Sequence, residues 1–472
     1  MNVRRLWRHH PAWLVAAALA GFIISVASDH NTGLATLLAE SSDLDPRIVS
    51  LVRAVSEERL TASLKKLESF GTRNTLSSTD SPTIGIGAAR KWIFDEMRHY
   101  SANLQVSFDT YKIAKQGRVT RDVEIRNVMA VLRGRTARRV YVTGHYDTIA
   151  IQGGQSSANT GTAGPEVTVA QPQDLNAPND LPAPGVNDDG SGTALTMELA
   201  RLFSQSGIEF DATLVFMCHV AEEQGLLGAY LHAQKAAAEH VRIDAVLNND
   251  IVGNDRSGNG IVDGATIRVY SEGPEDSASR ELARFVQRWG ARYVPSHRVR
   301  LMARPDRFNR GGDHTAYNQS GFAAVGFRES RENFTRQHDP RDTFDGIAPA
   351  YLAQNARVNA AVAATLALAP PAPVVVGERG PMITREPTGY DAKLTWYASP
   401  GAVTYRIFWR EAWGPDWQHE FLVGNVTETV LPNVQIDDYV FGVAAVDADG
   451  HESLVAPYVS RSRAPITVKT IP

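Results

Sequence analysis

The chain is predicted to have an α/β fold: a mixed, largely parallel sheet flanked by helices, followed by a small all-β sandwich. Three observations predict it. From about residue 122 to residue 368, β-prone apolar runs alternate with amphipathic helical stretches, the pattern of layered α/β domains. Histidines and acids close several of those runs, at the strand ends where α/β sheets gather ligands. Beyond a proline-rich linker the helical pattern stops and short β-prone runs take over.

In chain order, residues 46–68 repeat Ile48, Leu51, Val52, Val55, Leu60, Leu64 and Leu67 at roughly helical spacing. Residues 84–100 read as a second helix. Residues 122–132 and 139–144, rich in Val and Tyr, read as strands. The alternation then becomes regular. Strands are expected over 213–221, 245–250, 266–271 and 323–327, and helices over 194–205, 226–239, 278–289 and 351–368. Residues 151–184 are rich in Gly, Ser, Thr, Ala, Pro and Asn and read as a long surface loop. Ala369-Pro370-Pro371-Ala372-Pro373 is a semi-rigid linker. After it, 393–397, 404–410, 427–431 and 439–446 are short strands.

A chain of 472 residues has room for a large core and at least two domains. A net charge of −4 gives no sign of nucleic-acid binding. A single cysteine, Cys218, excludes an internal disulfide and reads as a buried, inert thiol. At the N-terminus, Arg4, Arg5 and Arg8 precede an apolar stretch over 13–27, ending in the small residues Ser25-Val26-Ala27. Residues 1–28 therefore read as a signal peptide, or as an uncleaved membrane anchor, although the run is short against the ~20 residues of a span. Either way the mature protein is expected outside the cytoplasm, with a membrane as partner only in the uncleaved case.

Five short segments carry the chemistry. They are Gly144-His145-Tyr146-Asp147, Asn187-Asp188-Asp189-Gly190-Ser191-Gly192, Glu222-Glu223-Gln224-Gly225, Asn249-Asp250 and Gln337-His338-Asp339-Pro340. Together they offer two histidines and three carboxylates as metal ligands, plus one spare glutamate, which is the inventory of a two-zinc hydrolase. Asp188, on a glycine-rich turn, suits a carboxylate shared between two ions. Each ion then wants a histidine, His145 or His338, and one more carboxylate, Glu223 or Asp250. On a helix, Glu222 and Glu223 would be a solvated face. Here they follow Leu214-Val215-Phe216-Met217, a buried run where two unpaired acids are costly. Glu222 remains to move protons as general base and then acid.

In kind and order these pieces resemble the co-catalytic dizinc peptidases of clan MH, which include bacterial leucyl aminopeptidases and glutamate carboxypeptidase II. The resemblance covers about residues 45–370. It implies that His145, Asp188 and Asp250 hold one zinc and that Asp188, Glu223 and His338 hold the other. Glu222 takes the base position, and Asp147 is the acid that orients His145. It also implies a cis peptide between Asp188 and Asp189. Relatives carry a tyrosine before the last histidine as an oxyanion partner. This chain has Gln337 there, and Tyr317 and Tyr146 are alternatives. Gly312-Asp313-His314-Thr315 resembles a further family segment, with His314 read as structural rather than as a ligand. The last hundred residues resemble a fibronectin type III domain, with Trp396 in its core and Tyr439 as its corner tyrosine.

The expected domains are 1–28 (signal or anchor), 45–369 (zinc peptidase) and 374–472 (sandwich). The expected activity is an exported two-zinc exopeptidase acting on peptides, an aminopeptidase ahead of a carboxypeptidase. The alternatives are a glutaminyl-peptide cyclase, which resembles this family but uses one zinc, and a catalytically inactive binding protein on the same fold.

Overall fold

The computed structural model describes residues 44–151, 176, 178–387 and 389–459. The expected signal or anchor and most of the 151–184 loop lie outside the described residues. From Arg47 onward the chain forms one compact unit.

Its centre is a sheet of eight strands: β1 (Leu104–Ile113), β2 (Val123–Leu132), β3 (Arg139–His145), β4 (Thr213–His219), β5 (Ile243–Asn249), β6 (Thr266–Ser271), β7 (Arg298–Met302) and β8 (Ala324–Glu329). Their order is β1-β2-β4-β3-β5-β8-β6-β7. The middle pairs, β4 with β3, β3 with β5 and β5 with β8, are parallel, as is β6 with β7. The pairs β1 with β2, β2 with β4 and β6 with β8 are antiparallel. This is the predicted mixed, largely parallel sheet.

The central strands are apolar on both faces because both faces are covered. Along β3, Val140 and Val142 enter one hydrophobic cluster and Tyr141 the other. The first cluster is closed by α1 (Pro46–Arg53), α2 (Glu57–Glu68), α3 (Gly85–Tyr100), α4 (Gly190–Gln205), α6 (Ala278–Tyr293) and α8 (Pro349–Leu368). The second is closed by α5 (Leu227–Ala238) and α7 (His314–Gln319).

Two features of this layered part differ from the sequence reading. The helical stretch 46–68 is two helices, because the Ser56 hydroxyl accepts from Arg59 N and starts α2 afresh, with Glu57 and Glu58 in its first turn. Strands β1 and β7 and helix α7 were not expected. Both strands lie at sheet edges, where one exposed face dilutes the apolar signal.

After α8 the chain is β: a small ribbon of β9 (Val376–Gly377) and β10 (Gly380–Pro381), then two antiparallel sheets. One joins β11 (Ile383–Arg385), β12 (Asp391–Thr395) and β15 (Glu428–Gln435). The other joins β14 (His419–Leu422), β13 (Thr404–Glu411), β16 (Tyr439–Val446) and β17 (Ala456–Pro457). Leu394, Trp396, Tyr405, Ile407, Phe441 and Val443 fill the space between them. Tyr439 packs half-buried on Phe441, with ring centroids 6.3 Å apart. The Tyr458 hydroxyl donates to Thr395 O at 2.8 Å, and that of Tyr405 accepts from Ser399 N at 2.9 Å.

Candidate metal centre

The parallel strands β4, β3 and β5 end on the same side of the sheet, beside the point where strand order reverses at β3. Such a crevice is where α/β sheets bind ligands. His145 is the last residue of β3, Asp250 follows β5, and Glu222 and Glu223 follow β4. Helix α4 enters this crevice by close contact. A Cβ on Gly192 would stand 2.1 Å from Asn249 O, and one on Gly144 would stand 2.6 Å from Gly192 C. The two glycines let the helix terminus, and Asp188 before it, sit between β3 and β5.

All five expected ligands converge. His145, Asp188 and Asp250 bring ligand atoms within 4.8 Å of one another, and so do Asp188, Glu223 and His338. Asp188 belongs to both groups. Its Oδ1 lies 3.4 Å from His145 Nε2, and its Oδ2 lies 3.1 Å from His338 Nε2. Glu223 Oε2 is 3.2 Å from His338 Nε2, and Asp250 Oδ1 is 3.8 Å from His145 Nε2. Glu223 Oε1 and Asp250 Oδ1 are buried with no hydrogen-bond partner. Buried carboxylate oxygens without partners are costly unless a cation meets them, and this nitrogen and oxygen donor set suits zinc.

Left-handed backbone recurs beside these groups. Ala221 (φ 60°) precedes Glu222, Ile251 (φ 55°) follows Asp250, and His338 itself has φ 53°. Positive φ is rare for such residues and collects at functional sites. The Asp188–Asp189 peptide is cis, as expected.

The charges form one coupled set. Burial opposes a charge on the His145 imidazole, but Glu222, Asp147, Asp188 and Asp250 outweigh burial and hold its pKa well above the ordinary value. For His338 burial is likewise outweighed, by Glu223 and Asp188, and its pKa rises to about 10. Burial pushes the Glu222 carboxyl well above the usual range, and Glu223, Asp250 and Asp313 add to the push.

Asp147 does more than face His145. The shorter contact of His145 Nδ1 is with the Asp147 carbonyl at 3.1 Å, against 3.5 Å to its carboxylate. That carboxylate accepts from Glu222 N and Glu223 N, both at 3.2 Å, and so ties the end of β3 to the loop after β4.

Four residues with structural work at the centre were not singled out. Asp189 accepts from His145 N at 3.0 Å, from Gly192 N at 2.8 Å and from Ile251 N at 3.2 Å. Asp342 accepts from Asp188 N at 2.9 Å and from Asn187 N at 3.1 Å. Arg73, buried, donates to the carbonyls of Tyr146, Pro184 and Gly185. Arg328 pairs with Asp250. Asp189 belongs to the glycine-rich turn that carries Asp188. The other three give no local signal, because their partners are distant in sequence.

The three oxyanion candidates are engaged elsewhere. Gln337 donates to Glu332 at 3.1 Å and accepts from Arg310 at 2.9 Å. The Tyr317 hydroxyl lies 3.2 Å from His219 Nε2, and that of Tyr146 donates to Arg126 O at 2.7 Å. His314 is structural, with Nε2 2.9 Å from Pro305 O. The expected surface loop begins beside the centre, where Ile151 N donates to His338 O at 3.0 Å.

The sequence pattern of Peptidase family M28 matches residues 127–363, a span that holds every residue of both ligand groups. A probable zinc metalloprotease of Pyricularia oryzae is 34% identical over 450 residues, covering 87% of this chain and 84% of that protein.

The chain belongs to peptidase family M28.

A probable zinc metalloprotease of Leptosphaeria maculans is 33% identical and covers 87% of this chain and 96% of that protein. Among solved structures, the Legionella pneumophila aminopeptidase LapA superposes with a TM-score of 0.50 at 17% identity, covering 68% of this chain and 74% of LapA. LapB from the same organism gives 0.51 at 17% identity, covering 69% and 75%. These likenesses show the shared fold. As an M28 member the protein is a zinc metallopeptidase, and its substrates are peptides.

Proposed function

We propose that this M28 peptidase is a two-zinc exopeptidase that releases residues from free amino termini. The observation that carries the reading is Asp188, whose two oxygens face the two histidines of separate ligand groups, at 3.4 and 3.1 Å. A carboxylate so shared lets two dications sit close together. In this reading His145, Asp188 and Asp250 hold one zinc, and Asp188, Glu223 and His338 hold the other. When bound, the ions polarise the scissile carbonyl and lower the pKa of water.

The chain's own groups do the rest. Glu222, half-buried beside the ligands, takes a proton from water and passes it to the leaving amine. The Asp147 carbonyl accepts from His145 Nδ1, which leaves Nε2 as the ligating atom. Aminopeptidase preference is supported by acids beyond the ligand set. Glu222 and Asp313 stand near the ligands, and acids placed there suit a substrate ammonium.

Two further parts belong to the proposal. The basic and apolar segment 1–28 marks the protein for export, or anchors it at the membrane. The two-sheet module from residue 374 is a fibronectin type III-like domain.

The deciding experiment assays zinc-loaded protein on aminoacyl-anilides beside N-blocked and C-terminal peptide substrates, with zinc counted per chain. Two zinc per chain and cleavage restricted to free amino termini are expected. Turnover of the blocked or C-terminal substrates alone would reject the aminopeptidase assignment. Cyclisation of an N-terminal glutamine with no release of amino acid would favour the cyclase.

A further inference from the structure

The two ligand groups share Asp188 but differ in what surrounds the second carboxylate. Asp250 is already engaged. Its Oδ2 is ion-paired with Arg328 Nη1, which also donates to the Asp250 carbonyl at 2.9 Å. Only Oδ1 remains for a metal, and it is buried and without a hydrogen-bond partner. Arg328 is 0% exposed. It lies on β8, which runs parallel beside β5, the strand that ends just before Asp250.

The guanidinium is held on its other side too. Nη2 donates to Gly311 O at 3.0 Å and pairs with Asp306 at 3.2 Å. Gly312 makes the room, since a Cβ there would stand 2.2 Å from Nη2. The cation is therefore built into the site by a strand, a loop and a missing side chain.

The Glu223 carboxylate stands differently. Its Oε2 faces His338 at 3.2 Å, and its Oε1 is unpartnered. Arg118 donates to the Glu223 main-chain carbonyl at 2.8 Å. Arg73 donates to the main-chain carbonyls of Tyr146, Pro184 and Gly185 and occupies an oxygen of neither Glu223 nor Asp250. Glu222, Asp147 and Asp313 add negative charge near His145. They act on the imidazole, whereas the Arg328 guanidinium occupies an oxygen of the ligating carboxylate itself. A positive charge in contact with a ligand repels an incoming dication and cancels part of that ligand's attraction, strongly so away from water.

We propose that Arg328 makes the two metal positions unequal, so that the Asp188, Glu223 and His338 position binds zinc more tightly than the His145, Asp188 and Asp250 position. The inference rests on the two-zinc reading above. A gap of at least about tenfold in Kd is expected from one contact charge.

The test is a zinc titration of the full chain against a chromophoric chelator, repeated with Co2+ and followed by visible absorption. The natural chain should show two separated binding steps. His338→Ala should remove the tighter one. Asp250→Asn should remove or further weaken the weaker one and leave the tighter unchanged. Arg328→Met should narrow the gap by tightening the weaker step, and Gly312→Ala, which displaces the guanidinium, should act in the same direction. The two ligand variants decide the assignment even if the arginine variant fails to fold. Two equal steps, or loss of the tighter step in Asp250→Asn, would overturn the inference. So would a folded Arg328→Met protein with an unchanged gap. A chain that binds no zinc would instead overturn the two-zinc reading, and this inference with it.

Discussion

At the scale of single residues, Glu222 and Glu223 are neighbours in sequence with different surroundings. Glu223 faces His338 Nε2 at 3.2 Å, while Glu222 N is tied to Asp147 at 3.2 Å and its carboxyl is raised by burial. Glu222→Gln should keep both zincs and lower kcat by roughly 10²–10⁴-fold, the usual worth of general acid–base help. Glu223→Gln should weaken one zinc. Zinc content and kcat measured on both variants check this, and equal zinc loss in the two would refute the assignment. Asp188→Ala should disturb both zincs, since its two oxygens serve two groups. Retention of two tightly bound ions would place the shared ligand elsewhere. The candidate ligands were legible in the sequence because each sits in a short motif, several of them at the end of an apolar run. Asp342, Arg73 and Arg328 were not, because an acceptor for Asp188 N, a donor to Tyr146 O and a partner for Asp250 are defined by contacts between distant segments.

At the scale of elements, the site depends on how closely α4 approaches β3 and β5. Gly192→Ala would drive a methyl to 2.1 Å from Asn249 O, a backbone atom that cannot turn aside. Overpacking of this kind costs about 1–3 kcal/mol. It should also shift Asp188 at the mouth of the helix, so the denaturation midpoint and zinc affinity should fall together. A stable variant with normal zinc binding would show that the helix terminus has freedom to move. The elements with strong apolar periodicity were found with ends near those observed. Those missed, β1, β7, β9, β10, β11, β14, β17 and α7, are edge strands, a two-stranded ribbon or a short helix. Half of an edge strand's residues face solvent, so their sequence resembles a loop. The break between α1 and α2 is set by one serine hydroxyl, which apolar periodicity does not register.

At the scale of the whole molecule, the terminal module is bound to the catalytic part through α6. Trp417 donates to Glu281 at 3.0 Å, Arg284 donates to Pro415 O at 2.8 Å, and Arg288 pairs with Glu452 at 2.9 Å. Burial raises Glu281 to about 6 against the pull of Arg284 and Trp417. Between the ordinary glutamate pKa and about 6, the folded state binds more protons than the unfolded one. The contribution of Glu281 to stability is therefore full below that window and falls as pH rises through it, by about 2 kcal/mol. Glu281→Gln should flatten this part of the stability–pH curve, as read by denaturation midpoints at both ends of the window; an unchanged slope would show that Glu281 is not responsible. A chain ending after Ala369 keeps every ligand but loses this interface. It should melt at lower temperature while retaining activity on small anilides. A folded, zinc-loaded but inactive truncation would mean that the module contributes to catalysis.

The sequence by itself determined the fold class, the ligand types and the change of architecture after the proline linker. Each of these is written in local periodicity or in a contiguous motif. Tertiary structure alone decided that Asp188 faces both histidines, that Asp250 gives one oxygen to Arg328, and that Gln337 is occupied by Glu332 and Arg310. The physical reason is the range of the interactions. Apolar period and turn chemistry act between near neighbours in the chain, whereas a shared carboxylate, a buried ion pair and a clamped turn form only when the sheet brings distant strand ends to one edge.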